Sequence, residues 1–114
     1  MFDFEKLTVY SKAKAFNIKV QVFLSHSDVD RTTYSQLRRA AFSIMLNIAE
    51  GSGRYSKADK RHFYVISRGS TFECVAIFDY LKDISVLSES EFNAFYSDLD
   101  ELSRMLFSMI QKLS

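Results

Sequence analysis

No proline interrupts the 114-residue chain, and glycine occurs only at positions 51, 53 and 69. Proline removes a helical hydrogen bond and clashes with the preceding turn, while glycine loosens the backbone. A chain this poor in both is free to run in long helices, and hydrophobic periodicity divides it into four. Val9, Ala13, Phe16, Val20 and Phe23 recur at three- and four-residue steps and mark a first helix from about Phe4 to Leu24. The polar run Ser25-His26-Ser27-Asp28 ends it. A second helix opens near Thr32 or Thr33, where Thr33 and Gln36 have capping-box spacing, and carries Leu37, Ala41, Ile44 and Ile48 toward the core. Gly51 and Gly53 stop it, since glycine takes the left-handed conformation cheaply. A third opens at Ser56 with Asp59 as its partner, along a stripe of Phe63, Ile66, Ser70, Glu73, Ile77, Tyr80 and Ile84. A fourth opens at Ser88 with Glu91, and Phe92, Phe95, Leu99, Leu102, Leu106, Met109 and Leu113 form its stripe. Short connections make neighbouring helices antiparallel. The expected fold class is therefore all-α: one domain over residues 1–114, an antiparallel up-down-up-down four-helix bundle.

The second helix has too many apolar sides for that role alone. Beyond the Leu37, Ala41, Ile44, Ile48 stripe, the residues Phe42, Met45, Leu46 and Ala49 fill the next sector of the wheel. Only Gln36, Ser43, Asn47 and Glu50, flanked by Arg39, stay polar. A helix lining one side of a bundle needs an apolar arc of about 100°. The surplus Phe42, Met45, Leu46, Ala49 face calls for another cover, and exposed patches of this kind are uncommon on monomers. A second subunit is the simplest cover; the other is an end of the first or fourth helix wrapped across it.

Polar residues also fall on or beside the apolar stripes. Glu73 lies on the third helix's stripe, one turn from Ser70, with Arg38, Arg39 and Arg68 as available partners. Arg38, Asn47, Glu50, Arg68 and Glu73 are read as a structural polar network fixing helix register, with a binding or catalytic centre as the alternative. Gly69 in mid-helix is unfavourable by about 1 kcal/mol relative to alanine, and close approach of another helix at that level explains it.

The chemistry-bearing residues are few. The inward Glu and Glu-x-x-His pairs of a di-iron bundle are missing, because neither His26 nor His62 lies three residues after a glutamate. One cysteine and two histidines do not make a zinc site. Gly51-Ser52-Gly53-Arg54 lacks the lysine and hydroxyl residue of a phosphate loop. Seven residues intervene between Arg54 and His62, outside the four to six between the Arg and His of HEPN-type ribonuclease toxins. The expectation is no catalytic residue, no cofactor and no metal. No apolar run approaches the ~18 residues of a membrane span, and Met1-Phe2-Asp3-Phe4-Glu5 does not open a signal peptide. With the lone Cys74, this reads as a reduced, cytoplasmic setting without membrane contact.

Charge is uneven. Residues 31–68 hold eight Lys/Arg and two Asp/Glu, a net of +6, whereas residues 69–114 hold three and eight, a net of −5. The two either mark a binding surface or cancel as the helices pack. The turn Arg54, Lys57, Lys60, Arg61 and His62, with Tyr55 and Tyr64 nearby, is the candidate for RNA or DNA, since basic residues interleaved with aromatics hold single strands by ion pairing and base stacking.

The segments Gln36-Leu37-Arg38-Arg39-Ala40-Ala41-Phe42-Ser43-Ile44 and Asn47-Ile48-Ala49-Glu50-Gly51-Ser52-Gly53-Arg54, with Arg68-Gly69-Ser70 and Glu73, resemble the four-helix-bundle family encoded in intervening sequences of bacterial 23S ribosomal RNA genes. That family is often labelled a ribosomal protein and is similar to the accessory variability-determinant proteins of diversity-generating retroelements. The resemblance runs from Phe4-Glu5-Lys6-Leu7-Thr8-Val9-Tyr10 to the last helix. It implies an antiparallel four-helix bundle, a homopentameric ring, and, by analogy with the accessory proteins, nucleic acid and a reverse transcriptase as partners. Those proteins are strongly basic, and this chain, at a net charge of +1, departs from them.

Overall fold

The computed structural model describes residues 1–114. A short 3₁₀ turn over Asp3–Lys6 leads into α1 (Thr8–His26), α2 (Arg31–Ser52), α3 (Lys57–Asp83) and α4 (Glu89–Lys112), with no strand. Each helix packs on the next in chain order, and α1 closes on α4. The result is an antiparallel four-helix bundle, 44 × 25 × 22 Å.

The helix starts follow their side chains. Ser56 Oγ accepts from the Asp59 amide at 3.0 Å, and Ser88 and Glu91 form a reciprocal capping box. The second helix starts earlier than its expected Thr33 cap: Asp30 is the N-cap, and its carboxylate accepts from the Thr33 amide at 3.3 Å. Hydrogen bonds from the Thr33 side chain and then its amide hold the Asp30 carboxyl below the usual carboxylate value. The first helix begins at Thr8, because Leu7 is extended and separates it from the 3₁₀ turn. Between α3 and α4, the chain turns through Ser85 at φ 64°, with the Val86 amide bonded to Leu81 O and the Ser85 amide to Lys82 O. That is the two-bond left-handed helix ending, made here by a serine.

The core contains every residue of the first two stripes. Val9, Ala13, Phe16, Val20 and Phe23 of α1 are buried with Leu37, Ala41, Ile44 and Ile48 of α2. From α4 come Phe95, Leu99, Leu102 and Leu106, while Phe92, Met109 and Leu113 pack half-buried at its margin. Four rings meet at one level: Phe78 stacks on Phe95 at 4.2 Å, and Phe16 and Phe23 meet both edge-on.

Helix α3 is rotated from its expected register. The residues it buries are Tyr64, Ser67, Ser70, Thr71, Cys74, Phe78 and Leu81, so the expected stripe holds only at Ser70. Ile66, Glu73, Tyr80 and Ile84 are exposed, and Phe63 and Ile77 are half-buried. The physical reason is that small hydroxyls occupy part of the core. Ser67 Oγ donates to Ile44 O at 2.7 Å, Ser70 Oγ to Ser43 Oγ at 2.7 Å, and Thr71 Oγ1 to Arg68 O at 2.6 Å. Each buried hydroxyl is thus satisfied.

The glycines also act differently from the expectation. Gly53 is right-handed at φ −87°, and no glycine has a positive φ. Gly51 lies inside α2, buried, where an added Cβ would meet Tyr64 Cε1 at 2.8 Å and Phe63 Cβ at 3.0 Å. It lets α3 start against α2. Gly51→Ala should therefore lower the unfolding free energy by up to about 2 kcal/mol, an overpacking cost of about 1–3 kcal/mol set against a helix-propensity gain of about 1 kcal/mol. Urea denaturation of the two proteins measures the difference.

Candidate interaction surfaces

Helix α2 turns its surplus face outward. Leu46 is 57 % and Phe42 39 % exposed, with Met45 and Ala49 half-buried beside them. Neither α1 nor α4 wraps across this face. The Arg38 guanidinium lies over the Phe42 ring, 4.8 Å from its centroid, and donates to Gln21 Oε1 of α1. The face is thus the outer side of the α1–α2 hairpin, and Ile18 and Val22 are exposed on α1.

A second surface, outside the faces expected from the sequence, lies between α3 and α4. Val65, Gly69, Phe72 and Ala76 succeed one another at four- and three-residue steps on the exposed side of α3. Val65, Gly69 and Phe72 line a hollow of about 350 Å³ with Phe107 and Ile110, and Phe72 and Ala76 line a second of about 410 Å³ with Phe92 and Tyr96. Arg68 crosses this groove, its guanidinium 4.9 Å from the Phe72 ring and 5.3 Å from the Phe107 ring, and donates to Ser103 O at 3.1 Å. An added Cβ at Gly69 would meet nothing within 4 Å. The expected close approach of another helix at Gly69 is not made within the chain. The signal available in the sequence was the second apolar periodicity of α3, one register away from the core.

The five residues expected as one polar network do not meet. Arg38 bonds Gln21, Asn47 bonds Ser43 O and Oγ at 2.9 and 3.0 Å, and Glu50 pairs with Arg54 at 2.9 Å. Arg68 bonds the Ser103 carbonyl, and Glu73 is exposed without an ion pair. Register is fixed by uncharged groups: the Asn47–Ser43–Ser70 chain and Ser67 join α2 to α3, and Asn17 Nδ2 joins α1 to Ala41 O at 2.8 Å.

At the α2–α3 turn, Tyr55 is fully exposed. Lys57 and Arg61 lie exposed beside it; Lys60 Nζ donates to Ser52 O at 2.9 Å and Arg61 Nε to Ser114 Oγ at 3.2 Å. None of these three has a carboxylate within 4 Å. Arg54 is engaged differently, paired with Glu50 and stacked 4.5 Å over Phe63. Tyr64 faces inward, and burial raises its phenol pKa.

No group of three or more His, Cys, Asp or Glu side chains converges to hold a metal, and no helix is long and apolar enough to cross a membrane. The Cys74 thiol is fully buried, and burial, then the neighbouring Glu73 charge, pushes its pKa up to about 12. The native protein should therefore resist thiol reagents at pH 8 and react only on unfolding, which a thiol-release assay with and without denaturant reads. Because the folded pKa lies above the unfolded one, the unfolded state loses this proton first. The contribution is whole below about pH 9 and is lost as pH rises toward 12.

No curated protein matches the chain. Among solved structures, it superposes with a TM-score of 0.85 on a protein of unknown function from the S23 ribosomal protein family of Bacteroides thetaiotaomicron, at 22 % identity over 90 % of this chain and 98 % of that one. That likeness shows the same fold. The family model described as 23S rRNA-intervening sequence protein matches residues 5–108, nearly the full length of the bundle. The chain belongs to the 23S rRNA-intervening sequence protein family.

Proposed function

We propose that this protein works as a non-catalytic homo-oligomeric helical module, five copies being the preferred assembly, that serves as a scaffold for other macromolecules. The carrying observation is the outer face of α2, where Leu46 is 57 % exposed and Phe42 39 %. A contiguous apolar face on a water-soluble bundle is stabilised when another surface covers it. Light scattering at micromolar concentration tests the reading. A particle of several 13.2 kDa chains is expected, and a monomer discards it.

A second reading, an RNA- or DNA-binding accessory factor, is favoured by the fully exposed Tyr55 ring among Lys57, Lys60 and Arg61, with Arg54 at the margin. Repetition of this turn around a ring would raise avidity without any new contact. Resemblance to the retroelement accessory proteins makes a reverse transcriptase a protein partner to test alongside. Labelled single-stranded RNA should bind at low salt. The combined Lys57→Ala, Lys60→Ala and Arg61→Ala variant should lower the slope of log affinity against log salt by about 2, at roughly 0.7 per lost phosphate contact. Absence of binding at low salt removes this reading.

A further inference from the structure

The geometry points to a head-to-tail contact between copies, in which the Phe42–Leu46 ridge of α2 enters the α3–α4 groove of the next copy at Gly69. This rests on the oligomeric reading above and assigns its two faces.

The first support is that there are two unpartnered faces of opposite shape. One is a ridge, Phe42 and Leu46 one turn apart on α2. The other is a groove whose floor at Gly69 is open and whose walls are Val65, Phe72 and Phe107. Two different patches that complement each other generate rings or filaments, whereas a two-fold dimer pairs a patch with itself.

The second support is height. Ile44 O is bonded to Ser67 and Ser43 to Ser70, so these pairs stand level along the bundle. The helices are antiparallel and rise about 1.5 Å per residue. Phe42 is then level with Ser70, Leu46 with Ile66, and Arg39 with Glu73, within about one turn. Rotation about an axis parallel to the bundle moves no residue up or down. It carries Phe42 and Leu46 of one copy to the stretch between Val65 and Phe72 of the next, which is where the hollow lies. The same rotation keeps α2 antiparallel to the neighbouring α3.

Charge selects the same arrangement. Lys14, Arg31, Arg38 and Arg39, on the α1–α2 side, have no carboxylate within 4 Å. Glu73 and Asp83 of α3 have no cation within that distance, whereas Asp79 and Asp100, which line the upper hollow, are already paired with Lys82 and Arg104. Head-to-tail packing sets Arg39 level with Glu73 and Arg31 near Asp83. A two-fold contact of the α1–α2 face with itself opposes Arg38 and Arg39 to their own copies, which disfavours it.

Paired cysteines test the contact. Leu46→Cys and Val65→Cys stand level with each other and both fall at solvent-facing positions, and the native Cys74 is buried beyond reach of the oxidant. Under copper–phenanthroline oxidation in air, the double variant should give a ladder of covalent multimers on a denaturing gel. An equimolar mixture of the two single variants, after subunit exchange, should stop at dimers, and each single variant alone should stay a monomer on the gel. Covalent dimers from Leu46→Cys alone would overturn the assignment in favour of a two-fold contact. A double variant that light scattering shows assembled but that does not cross-link overturns the face pairing and leaves the oligomeric reading standing. A monomer by light scattering overturns both.

Discussion

Truncating Phe78 to alanine is expected to lower the unfolding free energy by about 3–5 kcal/mol, the loss typical of a buried phenylalanine. Its ring is 1 % exposed, stacks on Phe95 at 4.2 Å and 9°, and meets Phe23 at 5.9 Å and Phe16 at 6.4 Å. Those three rings come from α1 and α4, so the truncation leaves a cavity between three helices that none of them alone can close. Small domains hold only about 5–15 kcal/mol in total, so the variant should sit near the edge of folding at 37 °C. Urea denaturation followed by helical circular dichroism gives the difference. Tyr55→Ala, at a fully exposed ring, should stay within about 0.5 kcal/mol of the parent. A Phe78→Ala loss below about 1 kcal/mol would contradict the described core.

Leu46→Asp should separate assembly from folding. More than half of the Leu46 side chain faces outward in the single chain, so the substitution leaves the core of the bundle untouched. Surface changes of this kind shift stability by about 0.5 kcal/mol or less. At an interface centre the same change desolvates a carboxylate against apolar surface, and residues of that class carry about 2 kcal/mol or more each. Each such subunit contact should weaken by a factor of about 30. In a ring every subunit contributes the same defect, so the assembled fraction should collapse at micromolar concentration while the helical spectrum persists. Loss of helix together with assembly would mean that Leu46 serves the fold and not the contact.

The sequence disclosed the bundle where apolar periodicity and burial coincide. In α1, α2 and α4 the expected core stripe is the one that faces inward, and residues such as Phe16, Ile44 and Leu99 lie where the spacing places them. The caps at Ser56 and Ser88 were equally legible, since a serine three residues before an acid has one economical geometry. Helix α3 defeated the same reasoning. Ser67, Ser70, Thr71 and Cys74 fill its inner side while Val65, Ile66, Phe72 and Tyr80 look outward. Its stronger apolar periodicity therefore reports a surface and not the core. Buried hydroxyls satisfied within their own helix or by its neighbour look polar in a sequence and behave as packing groups in the fold. Glu73 was misplaced for this reason, and with it the idea of a single charged network.

The candidate surfaces were half legible. The excess of apolar residues on α2 was visible from Phe42, Met45, Leu46 and Ala49, and Met45 and Ala49 prove half-buried against the bundle while Phe42 and Leu46 stay open. The groove that complements them depends on heights set by the Ser67–Ile44 and Ser70–Ser43 bonds. Such long-range register has no signature in local spacing. Gly51 teaches the same lesson at a smaller scale: its neighbours Tyr64 and Phe63 come from the next helix, and only their closeness reveals why no side chain fits there.

Hydroxyl-radical footprinting of the unmodified protein in solution addresses the central claim side chain by side chain. The account predicts that Tyr55 is oxidised as a free ring, while Phe42 and Leu46 are protected well beyond their exposure in the single chain. Oxidation of Phe42 and Leu46 at the rates their single-chain exposure implies would show an uncovered face and contradict it.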